Sequence, residues 1–305
     1  MEAAMSRPVI RTRDLTKRYR RAAVLDGLNL EIPSGSIYAL VGPNGAGKTT
    51  TIKILMNLLS PSSGSSTVLD TESHRLSSRD FAQIGYVSEN QELPNWMTVG
   101  YYLDYLSTFY PTWDRSLSES LLKQFQLPCE RKLKHLSHGM RMKTMLAAAL
   151  AFRPRLMVLD EPFTGLDAMV RDELVEGILT RGENTTIFIS SHELTEVESF
   201  ATHIGFLDYG RLQFSEELGT LSARFREVVV TFSGEAPPLP DSWPATWLRP
   251  QRTGSVVRFL ETQFREDREL DDIRRLFPNQ IDISLNPASL RSIFVGLAKS
   301  SREAI

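Results

Sequence analysis

The chain has 305 residues, of which 41% are hydrophobic and 24% are charged, and its formal net charge is -2. This length allows one large core and a modest accessory domain. The near-neutral charge argues against a nucleic-acid partner, because nucleic-acid binding usually requires a basic face. Cys129 is the only cysteine, which excludes an internal disulfide framework and a cysteine-rich metal site and suits a reducing compartment.

The sequence contains no segment that resembles a membrane-spanning helix, which needs about 18 uninterrupted apolar residues. The most apolar run, residues 145–152, corresponds to about two helical turns and fits a buried helix. Residues 1–13 lack the apolar core of a secretory signal. If the protein works at a membrane, we expect it to act from the cytoplasmic side and through a partner.

Short apolar strands alternate with helical segments along the first two thirds of the chain, which favours a layered α/β domain. The interval 61–66, rich in Pro, Ser and Gly, is predicted to be a loop. The predicted strands are residues 9–15, 23–32, 36–41, 84–87, 156–159, 185–190 and 204–207, and the predicted helices are residues 49–59, an aromatic-rich segment at 98–127, and 136–152.

The pattern changes after about residue 211, and five prolines between residues 237 and 250 exclude a regular helix or a central strand there. Strands are predicted at 228–232, 256–260 and 281–285, and helices at 265–277 and 287–299. We therefore expect a small, separate α+β domain at residues 221–305.

Residues 42–49 fit the phosphate-loop pattern G-x-x-x-x-G-K-[ST] at every fixed position, between the predicted strand 36–41 and helix 49–59. The glycines let successive backbone N–H groups point at phosphate oxygens, and the helix N-terminus adds partial positive charge. We expect Lys48 to neutralise the β- and γ-phosphates and the Thr49 hydroxyl to bind Mg²⁺. The predicted ATP-binding residues of this loop are Gly42, Pro43, Asn44, Gly45, Ala46, Gly47, Lys48, Thr49 and Thr50.

Two acids, Asp160 and Glu161, follow the apolar strand 156–159. A buried strand would deliver Asp160 rigidly to the phosphate site, where its carboxylate can hold the Mg²⁺ shell. Glu161 can then orient the attacking water and accept its proton. The alternative is a strand that simply ends in surface acids. The upstream phosphate loop favours an ATP-hydrolysing site.

Further motifs follow in a fixed order, and together with the phosphate loop they resemble those of ATP-binding cassette (ABC) proteins, the nucleotide-binding subunits of ABC transporters. Residues 136–140 (LSHGM) resemble the LSGGQ signature, and residues 165–167 (GLD) resemble the D-loop. His192 corresponds to the switch histidine, and Tyr19 lies where the family has an aromatic side chain that stacks on adenine.

The resemblance covers residues 8–220 and implies an α/β fold with a P-loop NTPase core. That core combines a mostly parallel sheet with helices, an antiparallel β subdomain, and a helical signature subdomain at about residues 90–152. It also implies ATP and Mg²⁺ as cofactors, with Thr49, Asp160 and Glu89 near the metal.

The resemblance further implies that two subunits meet head to tail and enclose two ATP molecules. Ser137 and the Gly139 N–H group would reach the γ-phosphate bound by the other subunit, at a helix start. His192 would contact the γ-phosphate of its own subunit, and Asp167 would couple the two sites. ATP-dependent closing and reopening is then a two-state switch.

The sequence departs from the family pattern at three positions. His138 stands where the family usually has a second glycine beside Gly139, and Met140 stands where it usually has glutamine, whereas Ser137 and Gly139 are kept. The metal-contacting glutamine of the family corresponds to Glu89 by alignment of the preceding strand, with Gln91 as the alternative two residues later.

A single cassette without a membrane segment resembles the ATPase subunits of bacterial multi-subunit exporters. The expected partners are a membrane permease on a separate chain and a second ABC subunit, identical or different, with the protein peripheral on the cytoplasmic face. Trp96, in a polar loop, is the candidate contact for the permease. The alternatives are a non-transport ABC ATPase acting on ribosomes or DNA, and a module that binds ATP without hydrolysing it. The domain at 221–305 could regulate, dimerise, contact the permease, or only pack.

Overall fold

The computed structural model describes residues 7–20, 22–179, 185–240 and 243–303, with side chains for all of these except 266–269 and 298–303. The first six residues of the N-terminal segment 1–13 therefore lie outside the described residues. The chain divides into two compact units, Met1–Ser215 and Glu216–Ile305. The sequence predicts the boundary between the two domains near residue 220.

The secondary structure alternates strands and helices in the first unit and is richer in strands in the second. The strands are β1 (Ile10–Tyr19), β2 (Ala22–Ile32), β3 (Ile37–Val41), β4 (Ser63–Val68), β5 (Thr71–Glu72), β6 (Ile84–Ser88), β7 (Leu156–Asp160), β8 (Thr186–Ser191), β9 (His203–Asp208), β10 (Arg211–Glu217), β11 (Arg226–Phe232), β12 (Trp247–Thr253), β13 (Val256–Glu261) and β14 (Gln280–Pro287). The α-helices are α1 (Lys48–Leu55), α2 (Ser78–Phe81), α3 (Val99–Ser107), α4 (Arg115–Gln124), α5 (His138–Ala151), α6 (Ala168–Leu179), α7 (Leu218–Arg224), α8 (Glu266–Leu276) and α9 (Leu290–Glu303).

The central sheet of the first unit has six strands in the order β10-β9-β3-β8-β7-β6. Strands β9, β3, β8, β7 and β6 run parallel to their neighbours. Every residue of β3, β7 and β8 is buried, as expected for the centre of a parallel sheet covered on both faces. The predicted α/β core is therefore confirmed.

A second sheet of the first unit has the order β2-β1-β4-β5, with antiparallel pairing. The prediction of a loop at 61–66 is wrong, because strand β4 begins at Ser63. Thr12 pairs with Ser66 and Arg13 with Ser65 across β1 and β4. This strand is specified by main-chain pairing with β1 rather than by apolar side chains, so its serine-rich sequence resembles a loop.

Two helical predictions differ from the structure in their extent. The first helix ends at Leu55 rather than at residue 59, and Asn57 adopts a positive φ of 56° just beyond it, a conformation typical of helix ends. The aromatic-rich segment contains α3 and α4 rather than one helix. Asp114 accepts a hydrogen bond from the Leu117 N–H group at 2.9 Å and so caps the start of α4.

Helix α1 packs into the main hydrophobic core between the two sheets of the first unit. One buried cluster joins Leu30 of β2, Leu40 of β3, Ile52 of α1 and Val158 of β7, all at most 1% exposed. Because α1 directly follows the phosphate-loop sequence, this packing fixes the position of that loop against the sheet.

The second unit contains a four-stranded antiparallel sheet in the order β12-β13-β11-β14. Its core includes Val228, Trp247, Phe259 and Phe277. The proline-rich region contains one strand, β12, which was not predicted. Pro250 is tolerated there because β12 lies at the edge of the sheet.

Candidate ATP site

The carboxyl ends of the central parallel strands bring the predicted functional segments to one edge of the sheet. Asp160, the last residue of β7, pairs in register with Ser190 of β8. Val41, the last residue of β3, pairs with Ser191 of β8. The phosphate loop, the two acids and the segments that follow β6 and β8 therefore meet at this edge, where open α/β sheets bind their ligands.

The phosphate loop requires glycine where it enters α1. Gly47 caps this helix with a φ of 109°, a conformation that other residues rarely adopt. A Cβ atom at Gly47 would also lie only 2.8 Å from the Val24 carbonyl oxygen. The loop thus passes so close to β2 that a side chain at this position does not fit.

Lys48 is the buried cation of the site, with 5% of its surface exposed. Its Nζ atom donates to the Gly42 carbonyl at 2.7 Å and to the Pro43 carbonyl at 3.3 Å. The same atom lies 3.1 Å from Glu161 Oε1. The ammonium group is therefore held over the loop, where it can reach phosphate oxygens.

Asp160 is 3% exposed and is held by hydroxyl groups from two elements. Its Oδ1 atom accepts hydrogen bonds from Thr49 Oγ1 at 3.1 Å and from Ser190 Oγ at 2.8 Å. Burial raises the pKa of Asp160 above its usual value, and these two hydrogen bonds offset part of that effect. A cation at this position would favour the charged form.

Glu161 has a positive φ of 52°, which is uncommon for a residue with a side chain. This turn directs its carboxylate toward the cleft while Asp160 stays in line with the strand. Glu161 Oε2 lies 2.7 Å from His192 Nδ1 and accepts from Thr164 Oγ1 at 3.3 Å. The backbone N–H group of Glu161 donates to Ser190 Oγ at 3.0 Å.

The electrostatic environment keeps Glu161 charged. Burial alone would raise its pKa, but the hydrogen bond with His192 and the positive charge of Lys48 outweigh burial, so the pKa of Glu161 lies below its usual value. The same hydrogen bond raises the pKa of His192 above its usual value of 6.5. Glu161 is thus an ionised carboxylate beside the Lys48 ammonium group and the His192 ring.

A cleft of about 360 Å³ lies over the phosphate loop. It brings together most predicted residues of the loop with both proposed catalytic residues. Its lining consists of Val24, Asn44, Gly45, Ala46, Gly47, Lys48, Thr49, Thr50, Glu89, Glu161, Thr164 and His192. Gly42, Pro43 and Asp160 lie beside it through their contacts with Lys48 and Thr49.

The signature and D-loop residues do not line this cleft. Ser137 caps α5 by accepting from the Met140 N–H group at 3.3 Å. Asp167 precedes α6 and accepts from the Val170 N–H group at 3.0 Å. Gly139 is buried at the first turn of α5. Within one subunit, these residues therefore do not line the cleft that is the candidate phosphate site.

Tyr19 does not line the cleft either, and it is 49% exposed with Lys17 Nζ 5.2 Å from its ring centroid. Its exposed ring leaves one face available for a base. Of the two candidates after β6, Glu89 lines the cleft and Gln91 does not. Gln91 Oε1 is buried without a hydrogen-bond partner among the described residues.

Two polar residues of the site were not predicted from the sequence. Ser190 contacts both acids, and Thr164 contacts Glu161 and lines the cleft. The only sequence signal for Ser190 was its place at the end of the predicted strand next to β7. Thr164 lies in an ordinary Pro-Phe-Thr-Gly turn, so nothing in its local sequence marks it.

The oxygen donors beside the cleft fit Mg²⁺. Thr49 Oγ1 and Asp160 Oδ1 lie 3.1 Å apart, and Glu89 lines the same cleft. Mg²⁺ prefers oxygen ligands and is usually held by one or two carboxylates together with substrate phosphates, rather than by a cage of protein groups. Thr49 and Asp160, with Glu89, are the residues that would hold it.

The comparisons with known proteins agree with this geometry. Residues 25–164 match the family model described as ABC transporter. The lantibiotic transport ATP-binding protein SrtF of Streptococcus pyogenes is 36% identical over 212 residues, which cover 68% of this chain and 91% of that protein. The bacitracin transport ATP-binding protein BcrA of Enterococcus faecalis is 33% identical, with 72% of each chain covered.

Solved structures show the same fold. The ATP-binding subunit of an ABC transporter superposes with a TM-score of 0.64 at 27% identity, covering 70% of this chain and 92% of that chain. A dimeric ATP-binding cassette bound to ADP and Pi superposes with a TM-score of 0.60, covering 68% of this chain and 98% of that chain, but at 23% identity it supports the fold alone.

The chain belongs to the family of ATP-binding subunits of ABC transporters. It is an ATP-binding and ATP-hydrolysing protein, so the predicted family, fold class and ATPase activity are confirmed. None of the helices in the described parts of the chain is both long and apolar enough to span a bilayer.

Proposed function

We propose that this protein is the ATPase subunit of a multi-subunit exporter, peripheral on the cytoplasmic face of the membrane, and that it drives a permease on a separate chain. The observation that carries the proposal is the meeting of Lys48, Glu161 and His192 in one cleft over the phosphate loop. The names of SrtF and BcrA, which refer to lantibiotic and bacitracin transport, support an exporter of peptide-like cargo.

In this proposal the backbone of residues 42–50 and Lys48 bind the triphosphate, because residues 44–50 line the cleft and backbone N–H groups of such a loop suit phosphate oxygens. Glu161 orients the attacking water and accepts its proton, since its lowered pKa keeps it ionised. His192 holds Glu161 and contacts the γ-phosphate. Mg²⁺, held by Thr49 and Asp160 with Glu89, would neutralise charge that develops on the phosphate oxygens.

The signature residues act on a second subunit in this proposal. Ser137, Gly139 and Asp167 lie outside the cleft of their own chain, which fits a head-to-tail dimer in which they complete the site of the partner. Either a second copy of this chain or another ABC subunit would serve. We assign residues 8–220 to the ATP-binding domain and 221–305 to an accessory domain.

The permease contact is assigned to an aromatic stripe that is defined by Trp96, Tyr101, Tyr105 and Phe109. It runs from the turn before α3, through this helix, to the residues just after it. The exposed fractions of these four aromatic residues are 65%, 52%, 44% and 58%. The rings touch in pairs, with centroids 5.7 Å apart for Trp96 and Tyr101 and 5.0 Å for Tyr105 and Phe109. Exposed aromatic patches of this kind mark interaction surfaces and supply most of the energy of protein interfaces.

The test is purification of the tagged chain from detergent-solubilised membranes, followed by identification of associated polypeptides. We expect one membrane polypeptide to co-purify. The double variant Trp96→Ser and Phe109→Ser should lose it, whereas Leu58→Ser, which changes a leucine that is 62% exposed elsewhere, should retain it. Recovery only with ribosomes or DNA would instead support the non-transport ATPase.

A further inference from the structure

His138 departs from the signature of the family, and its ring contacts Thr164, the residue directly before the D-loop. His138 is the first residue of α5, and its Nε2 atom lies 3.1 Å from the Thr164 carbonyl oxygen. A carbonyl oxygen can only accept a hydrogen bond, so Nε2 must carry the proton. Both the neutral Nε2–H tautomer and the protonated ring meet this requirement.

Thr164 extends this contact to the proposed base. Its Oγ1 atom donates to Glu161 Oε2 at 3.3 Å, and the same oxygen lies 2.7 Å from His192 Nδ1. Two hydrogen bonds through one intervening residue therefore join the start of α5 to the Glu161 carboxylate. A glycine at position 138 would remove the first of these bonds.

The backbone around this contact is tightly packed. A Cβ atom at Gly139 would lie 2.9 Å from Val170 Cγ1 and 3.7 Å from Leu166 Cδ2. The backbone of the first turn of α5 thus rests directly on the side chains of Leu166 and Val170, at and just before the start of α6. A displacement of the signature must therefore move the segment 164–170 or break this contact.

We propose that His138 is a positioning residue that, through Thr164, sets the placement of Glu161 in its own subunit. This inference rests on the head-to-tail dimer of the proposed function. The signature of one subunit binds the ATP held by the other, so the His138–Thr164–Glu161 connection transmits that contact to the base of the first site. Such a connection couples the two ATP sites, and the coupling acts in both directions.

The test places His138→Ala in one copy of a mixed dimer of the full chain. Two differently tagged copies are co-expressed, and one carries Glu161→Gln so that only the other copy hydrolyses ATP. We expect kcat to fall about two- to tenfold, as for loss of one hydrogen bond, when His138→Ala is in the hydrolysing copy. The KM for ATP should stay the same.

The copy in which His138→Ala lowers kcat shows whether His138 acts on the site of its own subunit or on the ATP of the partner. A larger loss when His138→Ala is in the Glu161→Gln copy would overturn the inference, because His138 would then act on the ATP of the partner. Equal effects in both arrangements, or no effect in either, would also overturn it. Failure of the proposed function would be visible separately, as the absence of an ATP-dependent dimer.

Conservative variants distinguish the hydrogen bond from a general packing effect. His138→Gln places an amide N–H group near the position of Nε2 and should restore most of the rate. His138→Asn, whose amide is closer to the backbone, should not. His135→Ala is the matched control, since His135 is an exposed histidine three residues earlier, and it should behave as the unchanged chain.

Discussion

Lys48 and Glu161 form a buried ion pair, with 3.1 Å between Nζ and Oε1 and side-chain exposures of 5% and 14%. The two residues are proposed to bind phosphate and to activate water, respectively. A triphosphate in the loop would compete with Glu161 for the Lys48 ammonium. In the proposed mechanism, binding of phosphate would thus free one carboxylate oxygen of Glu161 for the attacking water, which would couple recognition of ATP to activation of water.

Replacement of the base should separate binding from hydrolysis. We expect Glu161→Gln to lower kcat by about 10²- to 10⁴-fold, since the amide cannot accept the proton of water. ATP binding should be kept or tightened, because Lys48 loses its competitor. The ATP-bound dimer should then accumulate in size-exclusion chromatography with Mg-ATP. Glu198→Gln, which changes an exposed carboxylate, is the control. If the Glu161→Gln chain stays monomeric in Mg-ATP, the proposed dimer is contradicted.

Removal of the loop cation should abolish useful nucleotide binding. Lys48→Ala loses charge-assisted contacts with phosphate, and we expect the Kd for ATP to rise about 10- to 100-fold. Isothermal titration calorimetry measures the Kd. Circular dichroism checks that the variant is folded, because the substitution leaves Glu161 without the Lys48 ammonium group. Lys123→Ala, on an exposed part of α4, should bind as before. Tight binding by Lys48→Ala would exclude the phosphate-loop assignment.

Asp160 should account for the metal dependence of ATP binding. Its carboxylate already accepts from Thr49, one of the proposed ligands, and Asp160→Asn removes the charge with little change in shape. We expect the variant to bind ATP equally in Mg²⁺ and in EDTA and to hydrolyse it at least about 100-fold more slowly. Asp172→Asn, at an exposed position of α6, should keep the Mg²⁺ dependence; if Asp160→Asn also keeps it, Asp160 is not a ligand.

The His192–Glu161 contact predicts a pH-dependent contribution to stability. The folded-state pKa of His192 is raised above 6.5 by this contact, so its stabilisation is complete below 6.5 and is lost as the pH rises through the folded-state value. Glu161, with a lowered pKa, stays ionised throughout that window. The melting temperature should therefore fall more between about pH 6 and pH 9 for the unchanged chain than for His192→Ala. Parallel curves for the two proteins would exclude the charged pair.

Glu89 rather than Gln91 should support hydrolysis. Glu89 lines the cleft, so we expect Glu89→Ala to lower kcat and the affinity for Mg²⁺. Gln91→Ala should leave kcat unchanged. Its stability should be equal or slightly higher, because it removes a buried acceptor that has no hydrogen-bond partner in the described parts of the chain. Steady-state ATPase assays at several Mg²⁺ concentrations decide between them. The opposite ranking would move the metal contact to Gln91.

The central sheet and its site could be predicted because local sequence and burial agree there. The apolar run that ends in Asp160 and Glu161 is typical of a buried strand whose end is polar. Phosphate-loop glycines likewise reflect a local backbone requirement, seen in the φ of 109° at Gly47. Both features are set within a few consecutive residues.

The rest depends on neighbours that are distant in sequence. Strand β4 forms because its main chain pairs with β1. Its serines show no apolar pattern, so the sequence alone did not reveal the strand. Ser190 reaches Asp160 only through the register of β8 beside β7. His138 and Thr164 are 26 positions apart, and their contact results from the packing of α5 on α6. Neither this strand nor these two contacts can be predicted from a few consecutive residues.

The placement of Ser137 outside its own cleft has a kinetic consequence for the purified chain. In the proposed head-to-tail dimer the signature of one subunit completes the site of the other, so a solitary molecule would lack these groups. Turnover per molecule should therefore increase with concentration and level off as copies associate. Joining two copies through a flexible linker should make the turnover independent of dilution.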